Sequence, residues 1–219
     1  TMGFSRALKS SLDLDVLLAP EFCALITQEC QRGVIGEHSS LPALAEAAGS
    51  GMIQAVAELV RVGRAANVPI IHCTAERRRD GRGANSNARL FQYMGKVPNP
   101  LFTDSEATEI VPEISVADSD FILPRLHGLS PFQGTELDSI LRNLGVRTII
   151  GVGVSVNVAI QNLAFDAVNA AYQVVLPRDA VAGFPDEYVD MVFEHTLGGI
   201  TTVLQSETVL DVWQRATDK

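Results

Sequence analysis

Basic residues are the minority in this chain: 17 Lys and Arg stand against 26 Asp and Glu, for a formal net charge of -9. That field repels nucleic acid and anionic membrane surfaces, so neither is expected as a partner. Long apolar runs are absent too. No stretch approaches the roughly 20 residues that cross a bilayer, and the N-terminal "TMGFSRALKSSLDLD" lacks a continuous signal-peptide core. A cytoplasmic location is the expectation. Cysteine is scarce. Cys23, Cys30 and Cys73 show no paired metal spacing, and an odd number cannot all pair within one chain, so reduced thiols are expected. The four histidines, His38, His72, His127 and His195, are scattered without helical or loop pairing, and neither a metal nor a cofactor is expected.

Hydrophobic residues supply 47% of the 219 residues and charged ones 20%. This composition belongs to a folded globular chain long enough to bury a sizeable core. We read a single domain over residues 1–219, with residues 1–20 as an N-terminal extension.

The periodicity alternates strand and helix. "CALITQE" (residues 23–29), "VPIIHCTA" (68–75), "FILPRL" (121–126, broken by Pro124), "RTIIGVG" (147–153), "YQVVLP" (172–177) and "ITTVLQ" (200–205) read as six strands. Between them, Ile53, Val56, Leu59, Val60 and Gly63 keep helical spacing within the stretch 41–67. A helix is expected near 134–144 with Thr135 as cap, and another begins near Val156. A third opens at Pro185 and closes at Gly198 and Gly199, and Ser206 caps a last one ending near Trp213. Residues 77–120, polar and rich in Gly, Asn and Pro, read as a long excursion with little regular structure. Strands joined through helices need right-handed crossovers. The economical fold is therefore a doubly wound α/β domain: a parallel six-stranded sheet with helices on both faces.

In such a sheet ligands bind beyond the carboxyl ends of the strands. Glu29, Arg125 and the turn from Gly153 to Ala159 fall there. Gly151 and Gly153 also invite a nucleotide-phosphate reading, with Asn157 in the stretched pattern and Asp179 placed for a ribose hydroxyl. The third glycine of that fingerprint is missing. The basic cluster "ERRRDGR" (76–82) reads as a solvated loop or as an anion-attracting rim.

Four segments in order, "CALITQECQRGVIG", "VPIIHCTAERR", "LHGLSPFQGTELDSILRNLGVRTIIGVGVSVN" and "LAFDAVNAAYQVVLPRDAVAG", resemble the isochorismatase-like (cysteine) hydrolase family. That family includes nicotinamidases, N-carbamoylsarcosine amidases and vinyl-ether-cleaving isochorismatases. The resemblance implies an Asp-Lys-Cys triad, in which Asp takes the thiol proton and Lys holds the thiolate and leaving group. It also implies a non-proline cis peptide four residues before the nucleophile, shaping an oxyanion hole. On this chain that bond is Val154–Ser155, and the donors are the N–H groups of Ser155 and Ala159. The family further implies homodimers or homotetramers acting on small molecules, and "ITTVLQSETVLDVW" is the candidate seam.

All three triad positions are substituted. Glu29 stands for Asp, Arg125 for Lys and Ala159 for Cys. An alanine methyl cannot attack a carbonyl, and Arg cannot give up its proton as Lys can. Ser155 has no histidine beside it in sequence and is assigned to turn structure. On strand alternation, Cys30 faces away from a site that Glu29 faces. Glu29 and Arg125 read as mutually adapted ion-pair partners, since Arg pairs bidentately with a carboxylate. The expectation is a non-catalytic or vestigial small-molecule-binding member. The alternative is a cysteine-independent hydrolase of a small amide or vinyl ether that uses Glu29 and Arg125.

Overall fold

The computed structural model describes residues 13–218. Seven parallel strands form one sheet: β1 (Cys23–Gln28), β2 (Ile70–Ala75), β3 (Phe121–Arg125), β4 (Thr148–Val154), β5 (Gln173–Pro177), β6 (Val181–Ala182) and β7 (Thr202–Leu204). The order is β3-β2-β1-β4-β5-β7, with the two-residue β6 pairing on β4 beside that path. The six expected strands are all present. The seventh, β6, is too short to leave a periodic signal. Chain order reverses between β1 and β4, and their carboxyl ends are the switch point where ligands of such sheets bind.

Both central strands are buried on both faces, and their alternate side chains feed two cores. Cys23 and Leu25 of β1, with Ile150 and Val152 of β4, face the layer built by α2 (Pro42–Gly49), α3 (Met52–Ala65) and α8 (Ser206–Thr217). Ala24, Ile26 and Ile149 face α5 (Leu137–Asn143), α6 (Ala159–Asn169) and α7 (Asp186–His195). The expected helical stretch after β1 is two helices, because the chain breaks at Ser50 and Gly51. Two short helices complete the set, α1 (Leu14–Leu17) and α4 (Arg89–Met94). The long excursion thus holds an α-helix, and 3-10 turns at Glu106–Thr108 and Pro112–Ile114, that its polar composition concealed.

Residues 1–12 of the expected N-terminal extension lie outside the described residues. From residue 13 onward the chain packs on the domain: Leu17 and Leu18 are buried, and the indole Nε1 of Trp213 donates to the Leu18 carbonyl at 3.0 Å. The apolar face of α8, with Val209, Val212 and Trp213 buried, therefore lies against α3 within the chain. The helical part of the candidate seam is thus packed within the chain, while β7 stands at the edge of the sheet with Val203 exposed. That helix also runs past Trp213 to Thr217, and Ser206 is its first residue rather than its cap. The cap comes from Asp179, which accepts the Ser206 N–H at 2.8 Å and the Ser206 hydroxyl. No helix among the described residues is long and apolar enough to cross a membrane.

Candidate functional site

β1 ends at Gln28, and Glu29 follows in the left-handed region at φ +52°, with its N–H donating to the Cys73 carbonyl at 2.9 Å. A non-glycine residue held there costs of order 1–3 kcal/mol and persists only where its surroundings impose it. Glu29 is therefore outside the strand, and alternation does not decide where Cys30 points. Packing does. Cys30 is fully buried in the core, and its thiol donates to the Gln28 carbonyl at 3.7 Å.

Arg125 closes β3 in register with Ala75 of β2. Its Nη2 donates to Glu29 Oε1, which also accepts from Gln28 Nε2 at 3.1 Å, and its Nε reaches the Gly128 carbonyl at 3.3 Å. Both partners are largely buried, with side-chain exposures of 7% for Arg125 and 18% for Glu29. Gln31 ties the neighbouring strand ends together. Its amide donates to the carbonyls of Ala75 and Thr108 and accepts the Ala75 N–H.

Across the switch point, β4 runs into the turn that carries the cis Val154–Ser155 peptide. Gly153 sits at φ +103°, and a Cβ there would run into the Gln28 carbonyl oxygen, so only glycine lets β4 lie this close to β1. The helix starts at Ala159, three residues later than its apolar pattern suggests, because Val156–Val158 complete the turn. At a helix N-terminus the first N–H groups have no intrahelical acceptor. Among the described residues, neither the Ser155 nor the Ala159 N–H is taken by another backbone group. Glu29, Arg125, Ser155 and Ala159 all line one cavity of about 270 Å³.

The turn is framed by side chains that are already engaged. Asn157 grips Phe184 with both ends of its amide, donating at 2.5 Å and accepting at 3.1 Å. The Ser130 hydroxyl donates to Asp166 and accepts the N–H groups of Phe132 and Gln133 at 3.0 and 3.3 Å. Thr135 accepts the Leu137 N–H at 3.2 Å, but α5 begins at Leu137 with Glu136 in the cap position, so Thr135 lies one residue before the cap it was expected to be. Asn157 and Asp179 are thus committed to the chain itself, which removes the nucleotide-phosphate reading of Gly151 and Gly153.

No thiol faces the cavity. Burial pushes all three cysteines up to about 12, in Cys23 and Cys30 with help from an adjacent carboxylate. His72 is likewise a core group. Its Nδ1 is hydrogen-bonded to Thr27 Oγ1 at 2.7 Å and its Nε2 to Asp120 Oδ2 at 3.3 Å, and Asp120 is held in turn by Arg64. Burial depresses the His72 pKa below its ordinary value. The neutral ring then carries its proton toward Asp120 and accepts from Thr27. Among the described residues no group of three or more His, Cys, Asp and Glu side chains converges as a metal site would.

The structure also brings in residues that the sequence did not single out. Glu76, Asn85 and His127 line the cavity, and α4 adds Leu90, Phe91 and Met94. The basic cluster divides. Arg77 lines the cavity, Arg78 pairs with Asp80, and Arg79 lies over the Phe102 ring at 5.3 Å. The available signal was position: Glu76 and Arg77 directly follow the carboxyl end of β2, where such sheets place their sites.

A family model described as "Isochorismatase domain" matches residues 23–208. An isochorismatase family protein of Bacillus subtilis, YwoC, is 37% identical over 79 residues, covering 36% of this chain and 41% of that protein. The ureidoacrylate amidohydrolase RutB of Agrobacterium fabrum is 29% identical over 98 residues, covering 43% of this chain and 42% of its own. These matches thus span less than half the length of either relative. Among solved structures, an isochorismatase family protein from Desulfovibrio vulgaris superposes with a TM-score of 0.77 at 23% identity, covering 89% of this chain and 99% of its own. A cysteine hydrolase from Pseudomonas syringae gives 0.75 at 23% identity, covering 90% and 94%. At that identity the structural likeness speaks for the fold.

Proposed function

Because the chain belongs to the isochorismatase family, we propose that it is a small-molecule-binding member of that hydrolase family in which the cavity is kept and the nucleophile is gone. One observation carries this reading: the residue at the first turn of α6 that lines the cavity together with the Glu29–Arg125 pair is Ala159, and none of the three cysteines lines that cavity. A covalent acyl route needs a nucleophile next to a base, and this cavity offers a methyl group.

The alternative is a cysteine-independent hydrolase with Glu29 as its acid. It is less well supported, because the Glu29 carboxylate already accepts from Arg125 and from Gln28. Homodimers or homotetramers in the cytoplasm complete the proposal. With the α8 face filled internally, the exposed apolar side chains left for association include Phe165, Tyr188 and Met191. The test is turnover of the unmodified protein on small amides and vinyl ethers. No product above the uncatalysed rate is expected, and turnover that Glu29→Gln abolishes would replace this reading with the alternative.

A further inference from the structure

Helix α7 buries one face and turns the opposite one to solvent. Val189, Val192 and Phe193 pack into the core, while Glu187, Tyr188, Met191, Glu194 and His195 stand exposed, at the three- and four-residue spacing that aligns them in one stripe. Met191, at the centre of that stripe, is 59% exposed. The neighbouring helix widens the apolar part: Gln161 Nε2 of α6 donates to the Tyr188 hydroxyl at 3.4 Å, and Phe165, one turn further along α6, is exposed as well. Exposed apolar side chains gathered in this way mark a surface that another chain covers.

The polar groups around Met191 decide which chain. Asp190, beside the stripe, is already paired with Arg178 at 2.7 Å. Among the described residues Glu187 pairs with no cation, and Glu194 reaches only its neighbour His195, at 3.9 Å. Their positions are symmetric about Met191: Tyr188 and Glu194 lie three residues to either side of it, and Glu187 and His195 lie four. When two copies of α7 cross antiparallel on a two-fold axis through Met191, each residue meets the one equally far on the other side. Glu187 then faces the partner's His195, and the Tyr188 hydroxyl faces the partner's Glu194. With the helices parallel, the same carboxylates would meet their own copies, which like charges disfavour. A two-fold contact must be complementary to itself, and the antiparallel stripe meets that condition at both pairs of positions.

We propose that a second copy of this chain docks on α7, antiparallel about Met191, with Glu187 and His195 as the reciprocal polar pair and Phe165 beside the apolar centre. The inference rests on the reading of the chain as a self-associating one, and it names the surface. The ten residues of α7 span about 15 Å, so the contact is small and the dimer dissociates in the micromolar range. Phe184, two residues before the helix, lines the cavity, which sets this interface beside the candidate site.

The experiment is sedimentation equilibrium of the full chain across the micromolar range, where a monomer–dimer equilibrium is expected. Met191→Glu should weaken it roughly tenfold or more, since it sets two carboxylates against each other on the axis. Glu187→Lys and His195→Glu should each weaken it roughly threefold to tenfold. Mixed in equal amounts, those two variants should pair with one another about as tightly as the unmodified chain does with itself. In the mixed dimer the introduced lysine meets the introduced glutamate at one contact, and the original pair is kept at the other. That rescue reads the interface alone, because within one helix the two positions lie two turns apart and do not touch. A monomer mass at every concentration, which needs no variant to fold, would overturn the inference together with the self-association reading, and would leave α7 to a partner of another kind. A dimer that Met191→Glu leaves intact would overturn the inference alone and move the association to another surface. So would single charge variants that gain nothing on mixing.

Discussion

On the one hand, Ser130, Asp166, Asn157 and Asp179 each engage their polar atoms with neighbouring chain. On the other, Glu29, Arg125 and Ala159 line the cavity, at the positions we propose as counterparts of the family's Asp, Lys and Cys. The first group sets the path of the backbone around the switch point, and the second would touch a substrate. A serine that accepts two N–H groups and donates to a carboxylate answers to the fold whether or not the site performs chemistry. A nucleophile answers only to chemistry. On the proposed reading, the difference teaches that a cavity can outlast its reaction, because the groups that shape it are held by demands of their own.

Breaking the frame should therefore cost more stability than altering the residues that face the ligand. Gly153→Ala is expected to have the largest effect, destabilising the domain by roughly 3–5 kcal/mol through left-handed strain and collision with the Gln28 carbonyl. Denaturant unfolding followed by circular dichroism measures it, and a loss below half of the lower figure would mean that β4 and β1 can separate cheaply. Ser130→Ala should come next, at about 1–3 kcal/mol, because it strands an Asp166 oxygen and two N–H groups. The same unfolding experiment reads it. The companion change Asp166→Ala should add little on top, since both substitutions break one network.

A smaller effect concerns pH. His72 is kept neutral in the folded chain and has a folded pKa below the ordinary 6.5. Below 6.5 the unfolded chain therefore binds more protons than the folded one. Stability is full above that value and is lost as the pH falls toward the depressed folded pKa. Melting temperature followed down to about pH 5 should decline, and His72→Gln should flatten the slope in that window while lowering stability above it. An unchanged slope in the variant would assign the pH dependence to other groups.

How much of this was legible beforehand differs between the same two regions. The strands were legible because their apolar runs are continuous, and β6 was missed because two residues carry no period. The expectation for Glu29, Arg125 and Ala159 rested on their spacing from Gln31, Ser130 and Asp166, all of which prove to be framework, and the three line one cavity. The conformation of Glu29 was not, since its positive φ is imposed by Cys73 and by the strand ends around it. Helix α4 was hidden because its six residues lie in a polar stretch and have no side-chain cap. The division of the basic cluster depends on contacts with residues 94–103, which no local pattern announces.

The most direct test of the contrast between a kept frame and replaced chemistry is the reactivity of a thiol restored at position 159. Iodoacetamide alkylation should be slow in Ala159→Cys alone, because Arg125 holds the Glu29 carboxylate that would take the proton and no lysine is present to steady the thiolate. Adding Glu29→Asp and Arg125→Lys should raise the rate far beyond the product of the separate changes, since residues that act as a unit are strongly non-additive. If Ala159→Cys by itself alkylates as fast as the triple variant, or hydrolyses simple amides at ordinary enzymatic rates, the Glu29–Arg125 pair is a working part of the machinery and the account is contradicted.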